Sequence, residues 1–415
     1  MISDREHHES STASIAFGSR ILVLAVSLCA VSFGATQVAA QDLVIANARV
    51  IVGNGQVIER GSIVVRAGRI VSVAAEVPRA SGVRTIDAKG MTAMAGFIDG
   101  HRHIIQGNAD QYFKASAATR MREFLEAGYT TLMEGGGQVP AITQLKEKVE
   151  KGELLGPRII TSGRADPDMF PTEAQARAQV QRLAMAGVEI VKVRIDPPAD
   201  PEQVGILAVV IDEAKKHNLN TMVHAVSPKA MLAAVQAGAQ KLVHTPHGGW
   251  LTDADAKVVR DAGVEVLSCI GFGVPVFGVH NQENKPTFRD GKSWPDGILN
   301  GQGRGREAGE KAVNARTLWD NGVVFGYGTD TGYDPRAGLA HELRALSLMF
   351  SPQDLIKLLG PNTAAFLDKD QELGTLEVGK LADIVVLDGN PLEGYWNLLR
   401  PKVVIKGGAV VVDKR

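Results

Sequence analysis

Between residues 94 and 328 short β-branched runs alternate with helical stretches, and this rhythm restricts the fold more than any other feature of the chain. Strand-like segments fall at 94–99 (MAGFID), 130–134 (TTLME), 158–162 (RIITS), 189–195 (EIVKVRI), 221–225 (TMVHA), 241–245 (KLVHT), 265–271 (EVLSCIG) and 323–328 (VVFGYG). Helical stretches such as 113–127, 173–186, 202–217, 228–237 and 253–262 separate them. Eight strands alternating with helices over about 260 residues predict an α/β fold of the (β/α)8 barrel type, the TIM barrel. A doubly wound sheet is the rival. It requires a crevice at a strand-order switch and, for a nucleotide, a glycine-rich first turn. Residues 301–305 (GQGRG) are glycine-rich but follow no strand, so they read as loop.

Both ends of the chain break this rhythm. Residues 43–52 and 62–73 alternate apolar and polar positions and break at glycine, which reads as antiparallel β. After a helix at 352–359, β-type runs return at 382–388, 402–406 and 409–413. The expected organisation is a small β-sandwich built from both termini, 41–93 and 362–415, around a barrel at 94–361. Residues 1–40 read as a signal peptide. Ile21 to Gly34 is an apolar run too short to span a membrane comfortably, and Val38-Ala39-Ala40 fits signal-peptidase cleavage before Gln41. The mature chain is then expected to be secreted or periplasmic and free of the membrane; an uncleaved anchor is the alternative. Only Cys269 remains after cleavage, so no disulfide framework is available. A net charge of −1 argues against a nucleic-acid partner, which needs a basic field.

The histidines fall where a barrel places its chemistry. His101 and His103 close the first strand, and residues two apart on a strand point the same way. His224 ends the fifth strand, His244 ends the sixth, and Asp330 follows the eighth. All five sit at C-terminal strand ends, the face that carries barrel active sites. Any one of them alone would read as an ordinary core or surface residue; the set reads as a metal centre. Lys192 sits among Val and Ile in a strand covered on both faces, where a charged amine is costly. Either it snorkels at the strand end, or it is carboxylated by carbon dioxide, which removes the charge and supplies two bridging oxygens.

GFIDGHRH, VKV, MVHA, KLVH and GTD, in this order, resemble the metal-ligand signatures of the amidohydrolase superfamily, in particular its two-metal branch of imidazolonepropionase- and prolidase-like members. The closing GTLEVGKLADIVVLDGNPLE resembles that family's return into its β-sandwich, so the likeness runs from about residue 42 to the end. It implies that His101, His103 and Asp330 bind one divalent cation, that His224 and His244 bind a second, and that carboxylated Lys192 bridges the two. Such nitrogen and oxygen ligands suit zinc, with manganese, cobalt and iron as alternatives. The cations would polarise a carbonyl and acidify a water, with Asp330 as the catalytic base. The implied reaction is cleavage of an amide or peptide-like C–N bond in a small molecule, of N-acyl amino acid or dipeptide type. Lactones, esters and organophosphates are alternatives on the same site. A metal-binding protein without turnover is another, which the presence of Asp330 disfavours.

Departures from the family pattern narrow the reading. Single-metal deaminases of the superfamily carry Glu three residues after the strand-five histidine, where this chain has Ser227. Val226 stands where prolidase-like members often have a polar or aromatic residue. Glu134, at the end of strand two, either orients a metal ligand or forms a buried ion pair. Arg194, two residues beyond Lys192, either clamps a substrate carboxylate or pairs with an acidic loop residue such as Asp196 or Asp110. His247 and Tyr333 are further substrate-contact candidates, with His280 behind them. Cys269 reads as core. The segment 272–305 is long for a loop between strand and helix and reads as a lid or an oligomer contact.

Overall fold

The computed structural model describes residues 42–75, 83–195, 197, 199–271, 304–332 and 334–415. The segment expected as a signal peptide, Asp196, His280, Tyr333 and nearly all of the 272–305 stretch lie outside the described residues. No helix among the described residues is long and apolar enough to cross a membrane.

The N-terminal strands are β1 (Leu43–Ile51), β2 (Val57–Arg66), β3 (Arg69–Ala74), β4 (Arg84–Asp87) and β5 (Thr92–Ala95). The run at 62–73, which breaks at glycine in the sequence, is an antiparallel hairpin of β2 and β3. Ala67 and Gly68 both take positive φ and leave Arg66 opposite Arg69, the two-residue turn that matches strand twist. The segment at 94–99, expected as one strand, divides at Gly96. Its first half, β5, pairs with β1, while its second half, β6 (Phe97–Arg102), pairs with β7 (Tyr129–Glu134). The physical reason is a close crossing: a Cβ on Gly96 would stand 2.4 Å from the Thr130 side chain.

From β6 onward the strands are parallel. After β7 come β8 (Arg158–Ile160), β9 (Ser162–Arg164), β10 (Ile190–Arg194), β11 (Asn220–His224), β12 (Lys241–Val243), β13 (Glu265–Leu267) and β14 (Phe325–Gly326). They form two runs, β6-β7-β8 and β9-β10-β11-β12-β13-β14, in strict sequence order. No strand-order switch occurs among the described strands, which speaks against the doubly wound alternative. β8 and β9 are one strand interrupted at Thr161. The Gly100 amide donates to Tyr327 O at 3.0 Å, linking the first strand to the residue after the last. Ile98, Met133, Ile160, Ile190, Met222, Val243 and Leu267, from β6, β7, β8 and β10–β13, meet in one apolar cluster.

The chain then returns through β15 (Ile384–Leu387), β16 (Pro401–Lys406) and β17 (Ala409–Asp413). These join the N-terminal strands in an eight-stranded sheet of order β17-β16-β15-β5-β1-β2-β3, with β4 on β1. The β16–β17 turn repeats the β2–β3 solution, with Gly407 and Gly408 at positive φ. A Cβ on Gly408 would stand 2.7 Å from Gly68 Cα, so the hairpin turns of the two chain ends abut. Helices that the sequence reading did not name include Ala141–Glu150, Arg304–Asp320 and Pro335–Leu346; the second of these takes in residues 304 and 305, which were expected as loop.

Candidate metal centre

Three strand ends depart from β geometry where the chemistry sits. His244 (φ 78°), Cys269 (φ 43°) and Asp330 (φ 52°) occupy the left-handed region, which non-glycine residues rarely adopt. The Asp330 amide donates to His101 O at 2.8 Å and so fixes this kink against the first strand.

The kinks turn side chains toward one point. His101 Nε2 and His103 Nε2 stand 3.1 and 2.9 Å from the same oxygen, Asp330 Oδ1. The ligand atoms of this trio lie within 4.8 Å of one another. Lys192 Nζ is 3.3 Å from His101 Nε2, and His244 Nε2 is 3.6 Å from Asp330 Oδ2. His224 joins through its ring, 4.3 Å from that of His244. All six residues named from the sequence as metal ligands therefore gather at one site.

The electrostatics suit a cation. Burial pushes His101 and His224 down to about 3 and His244 well below the usual imidazole range, so each ring is neutral at neutral pH, with one nitrogen unprotonated. Although burial opposes it, the neighbouring His101 and His244 hold Asp330 well below the ordinary carboxylate range. Hydrogen bonds to Asp330 and then Glu134 raise His103 to about 9, so its proton must leave before a cation binds there. Burial brings Lys192 down to about 8, toward the neutral amine that reacts with carbon dioxide. His101 Nδ1 is buried with no hydrogen-bond partner among the described residues. Once His103 has lost its proton, neutral imidazoles surround an ionised carboxylate, a nitrogen-and-oxygen donor set of the kind that holds a divalent cation.

The supporting contacts were only partly foreseen. Glu134 holds the ring of His103: its Oε1 lies 3.5 Å from His103 Nδ1, an ion pair when that histidine is protonated, and its Oε2 accepts from the Ile104 amide at 2.8 Å. The sequence reading missed Asp99, Arg102 and Thr329. Asp99 Oδ1 accepts the amides of His101 and Thr329, and Asp99 Oδ2 accepts the Thr329 hydroxyl at 2.7 Å. Arg102, fully buried over the Phe124 ring, donates to Thr329 Oγ1 at 3.3 Å and stands 3.8 Å from Asp99 Oδ2. The signal was present, because Asp99 precedes His101 by two residues and Arg102 lies between the two histidines.

Around the rim the substrate candidates are more dispersed. Arg194 is exposed at the end of β10, opposite His224 in register. Its amide donates to Oδ1 of the buried Asp166 at 2.7 Å, and Asp166 also forms an ion pair with Arg164. Neither Arg164 nor Asp166 was singled out from the sequence, although Arg164 could have been found by the alternation that identified Arg194. His247 is half-buried; its amide donates to Val226 O at 2.7 Å, and its Nε2 lies 3.9 Å from Glu307. Its loop is held by the 304–320 helix, where Glu310 accepts from Gly248 N and Asn314 bonds to Pro246, Gly249 and Leu251. Cys269 is buried, as expected of a core residue. Ser227 caps the helix Pro228–Gln236, which gives it a structural role.

Comparison with known proteins agrees with this geometry. The model of the amidohydrolase family matches residues 92–411. Imidazolonepropionase of Alkaliphilus oremlandii is 31% identical over 113 residues, 25% of this chain and 26% of that protein, so the match spans about a quarter of its length. Ochratoxinase of Aspergillus niger is 23% identical over 385 residues, covering 76% of this chain and 74% of its own. Among solved structures, a candidate prolidase from Bifidobacterium longum superposes with a TM-score of 0.76 at 25% identity, covering 91% of this chain and 97% of that one.

Proposed function

The chain belongs to the amidohydrolase family, and from that premise we propose that it is an exported metal-dependent hydrolase cleaving an amide or peptide-like C–N bond of a small molecule, of N-acyl amino acid or dipeptide type. The observation that carries the reading is the convergence of His101, His103 and Asp330 within 4.8 Å, with Lys192 and His244 in contact with them. Export is supported by the apolar run Ile21–Gly34 and the Val38-Ala39-Ala40 site.

We read the two parallel runs as one eight-stranded barrel, with the sheet from both termini as its β-sandwich neighbour. The barrel reading draws support from the bond between Gly100 and Tyr327 and from the shared apolar cluster of seven strands. In it, His101, His103 and Asp330 would hold one divalent cation, His224 and His244 a second, and carboxylated Lys192 would lie between them. Bound zinc would polarise the substrate carbonyl and lower the pKa of water.

The rest falls to the chain itself. Asp330 is ionised and faces three imidazoles, so its carboxylate is placed to take a proton from the attacking water and return it to the leaving nitrogen. Glu134 holds the His103 ring and Asp99 holds the backbone of His101 and Thr329, so the acceptor keeps its position through the reaction. Arg194, His247 and Tyr333 are the substrate contacts of this reading.

The test is reconstitution of the mature protein with zinc, elemental analysis, and a turnover screen on N-acyl amino acids and dipeptides. About two equivalents of metal with turnover are expected. A folded protein that retains no metal would overturn the reading.

A further inference from the structure

The sheet register sets four side chains on one face. Lys192 is the cross-strand partner of Arg164 between β10 and β9, and Arg194 is the partner of His224 between β10 and β11. Partners in register, and residues two apart on one strand, project from the same side. Arg164, Lys192, Arg194 and His224 therefore share the side of the sheet that carries the metal-ligand candidates. Side-chain contacts agree at the Arg164 end. A Cβ built on Gly136 would stand 3.0 Å from Arg164 Cγ and 3.3 Å from Lys192 Cγ, so the two stems run beside each other over this glycine.

Depth separates the four. Lys192 is 5% exposed, whereas the Arg164 side chain is 44% exposed and Arg194 is exposed at its strand end. The two guanidinium-bearing residues thus stand between solvent and the buried centre. One buried carboxylate serves both: Asp166, itself 0% exposed, forms an ion pair with Arg164 and accepts the Arg194 amide at 2.7 Å. The buried acid holds the Arg164 guanidinium directly and the Arg194 strand end through its backbone amide, so Arg164 has less freedom left to lose when an anion binds.

We propose that Arg164 and Arg194 form a subsite for the substrate carboxylate, just outside Lys192 and His224, so that the enzyme selects acids over their neutral amides. The proposal rests on the amide-hydrolase reading above and specifies how the far end of such a substrate is held. Planar guanidinium groups suit a carboxylate because they can bind it through paired hydrogen bonds. Asp166 is a positioning residue in this arrangement.

The experiment compares N-acetyl-L-amino acids with their C-terminal amides on the zinc-reconstituted full chain, in wild type, Arg164→Ala, Arg194→Ala and the corresponding lysine variants. Wild type is expected to prefer the acid in kcat/KM. Each alanine variant should reduce the acid-to-amide ratio by roughly 10–100-fold, mainly through the KM of the acid, and each lysine variant should recover part of it. Equal use of acid and amide by wild type, or an unchanged ratio in both alanine variants, overturns the subsite and leaves C–N hydrolysis standing. If neither compound is turned over, the hydrolase reading fails, and calorimetric titration with the N-acetyl amino acids decides the subsite separately. Binding to wild type that the alanine variants lose upholds it; equal binding to all proteins, or to none, removes it.

Discussion

The sheet built from both chain ends and the parallel strands fill their interiors in opposite ways. In the terminal sheet the buried side chains of the strands are apolar apart from Thr92, with Leu43, Ile45, Ile63, Val65, Ile86, Ile384, Val386, Val403 and Ile405 in one cluster. At the C-terminal ends of the parallel strands the buried side chains include Asp99, His101, Arg102, Glu134, Asp166, Lys192, His244 and Asp330. The first region gains stability directly from removing apolar surface from water. The second must offset the desolvation of many polar groups with hydrogen bonds and ion pairs, and such groups are retained at functional sites. Substitutions in the two regions should therefore fail in different ways.

The largest effects belong to the metal centre. Asp330→Asn keeps an oxygen for a cation but cannot accept a proton, so kcat should fall by roughly 10²–10⁴ while part of the metal remains. On the proposed carboxylation of Lys192, Lys192→Ala should lose metal and turnover together, and acetate should restore part of both by taking the place of the carbamate. Metal analysis beside steady-state kinetics separates the two behaviours. Near wild-type turnover in Asp330→Asn would remove it as the base and direct attention to His247.

Next in size is a matched pair of core substitutions. Arg102→Met removes the cation beside Asp99 and Thr329 and leaves Asp99 buried, which should destabilise the fold by about 3–5 kcal/mol. Ile63→Ala in the terminal sheet should cost about 2–5 kcal/mol through the cavity alone. Urea unfolding measures both. A zinc-competition titration then distinguishes them: Arg102→Met should also weaken zinc binding, because Asp99 and Thr329 fix the backbone of His101 and Asp330, whereas Ile63→Ala should leave it unchanged. Equal zinc affinities in the two variants would show that the buried charges act on stability alone.

The same contrast explains what could be read from the sequence. Apolar periodicity and strand-end position are local, so the alternating strands and all six metal-ligand candidates were visible. The Asp99–Thr329 bond spans 230 residues, and no local pattern announces it. The helix Pro335–Leu346 escaped because it is buried at Pro335, across Gly338–Leu343 and again at Ala345 and Leu346, which erases the one-sided apolar stripe that marks a surface helix. The helix Arg304–Asp320 carries Gly305 and Gly309, poor helix formers, among scattered charges. The division at Gly96 depends on Thr130 lying across it, a contact made only once the strands are assembled. The ligand candidates were legible because each sits at a strand end; their supports were not, because they join strands distant in sequence.

The smallest expected effect tests whether the terminal sheet is as free of charge strain as its apolar cluster suggests. Lys406, at the end of β16, is its exception. Its Nζ donates to Gly156 O at 2.7 Å, and burial, followed by the nearby Arg158 guanidinium, lowers its pKa from 10.5 to about 8. In the unfolded chain the amine keeps its proton up to its ordinary pKa. Between about pH 8 and 10.5 the unfolded state thus binds more protons than the folded one, and stability should rise with pH. Below pH 8 both states are protonated, and the full penalty of the buried charge is present. Lys406→Met lacks this titration, so the stability difference between wild type and variant should shift in favour of wild type by on the order of 1–3 kcal/mol across that window. Taking the difference cancels groups common to both proteins, including Lys192 and the buried tyrosines Tyr129 and Tyr327. Urea midpoints at pH 7.5 and 9.5 suffice to measure it. Parallel profiles for the two proteins would mean that Lys406 reaches water in the folded state and that the terminal sheet carries no buried charge at this edge.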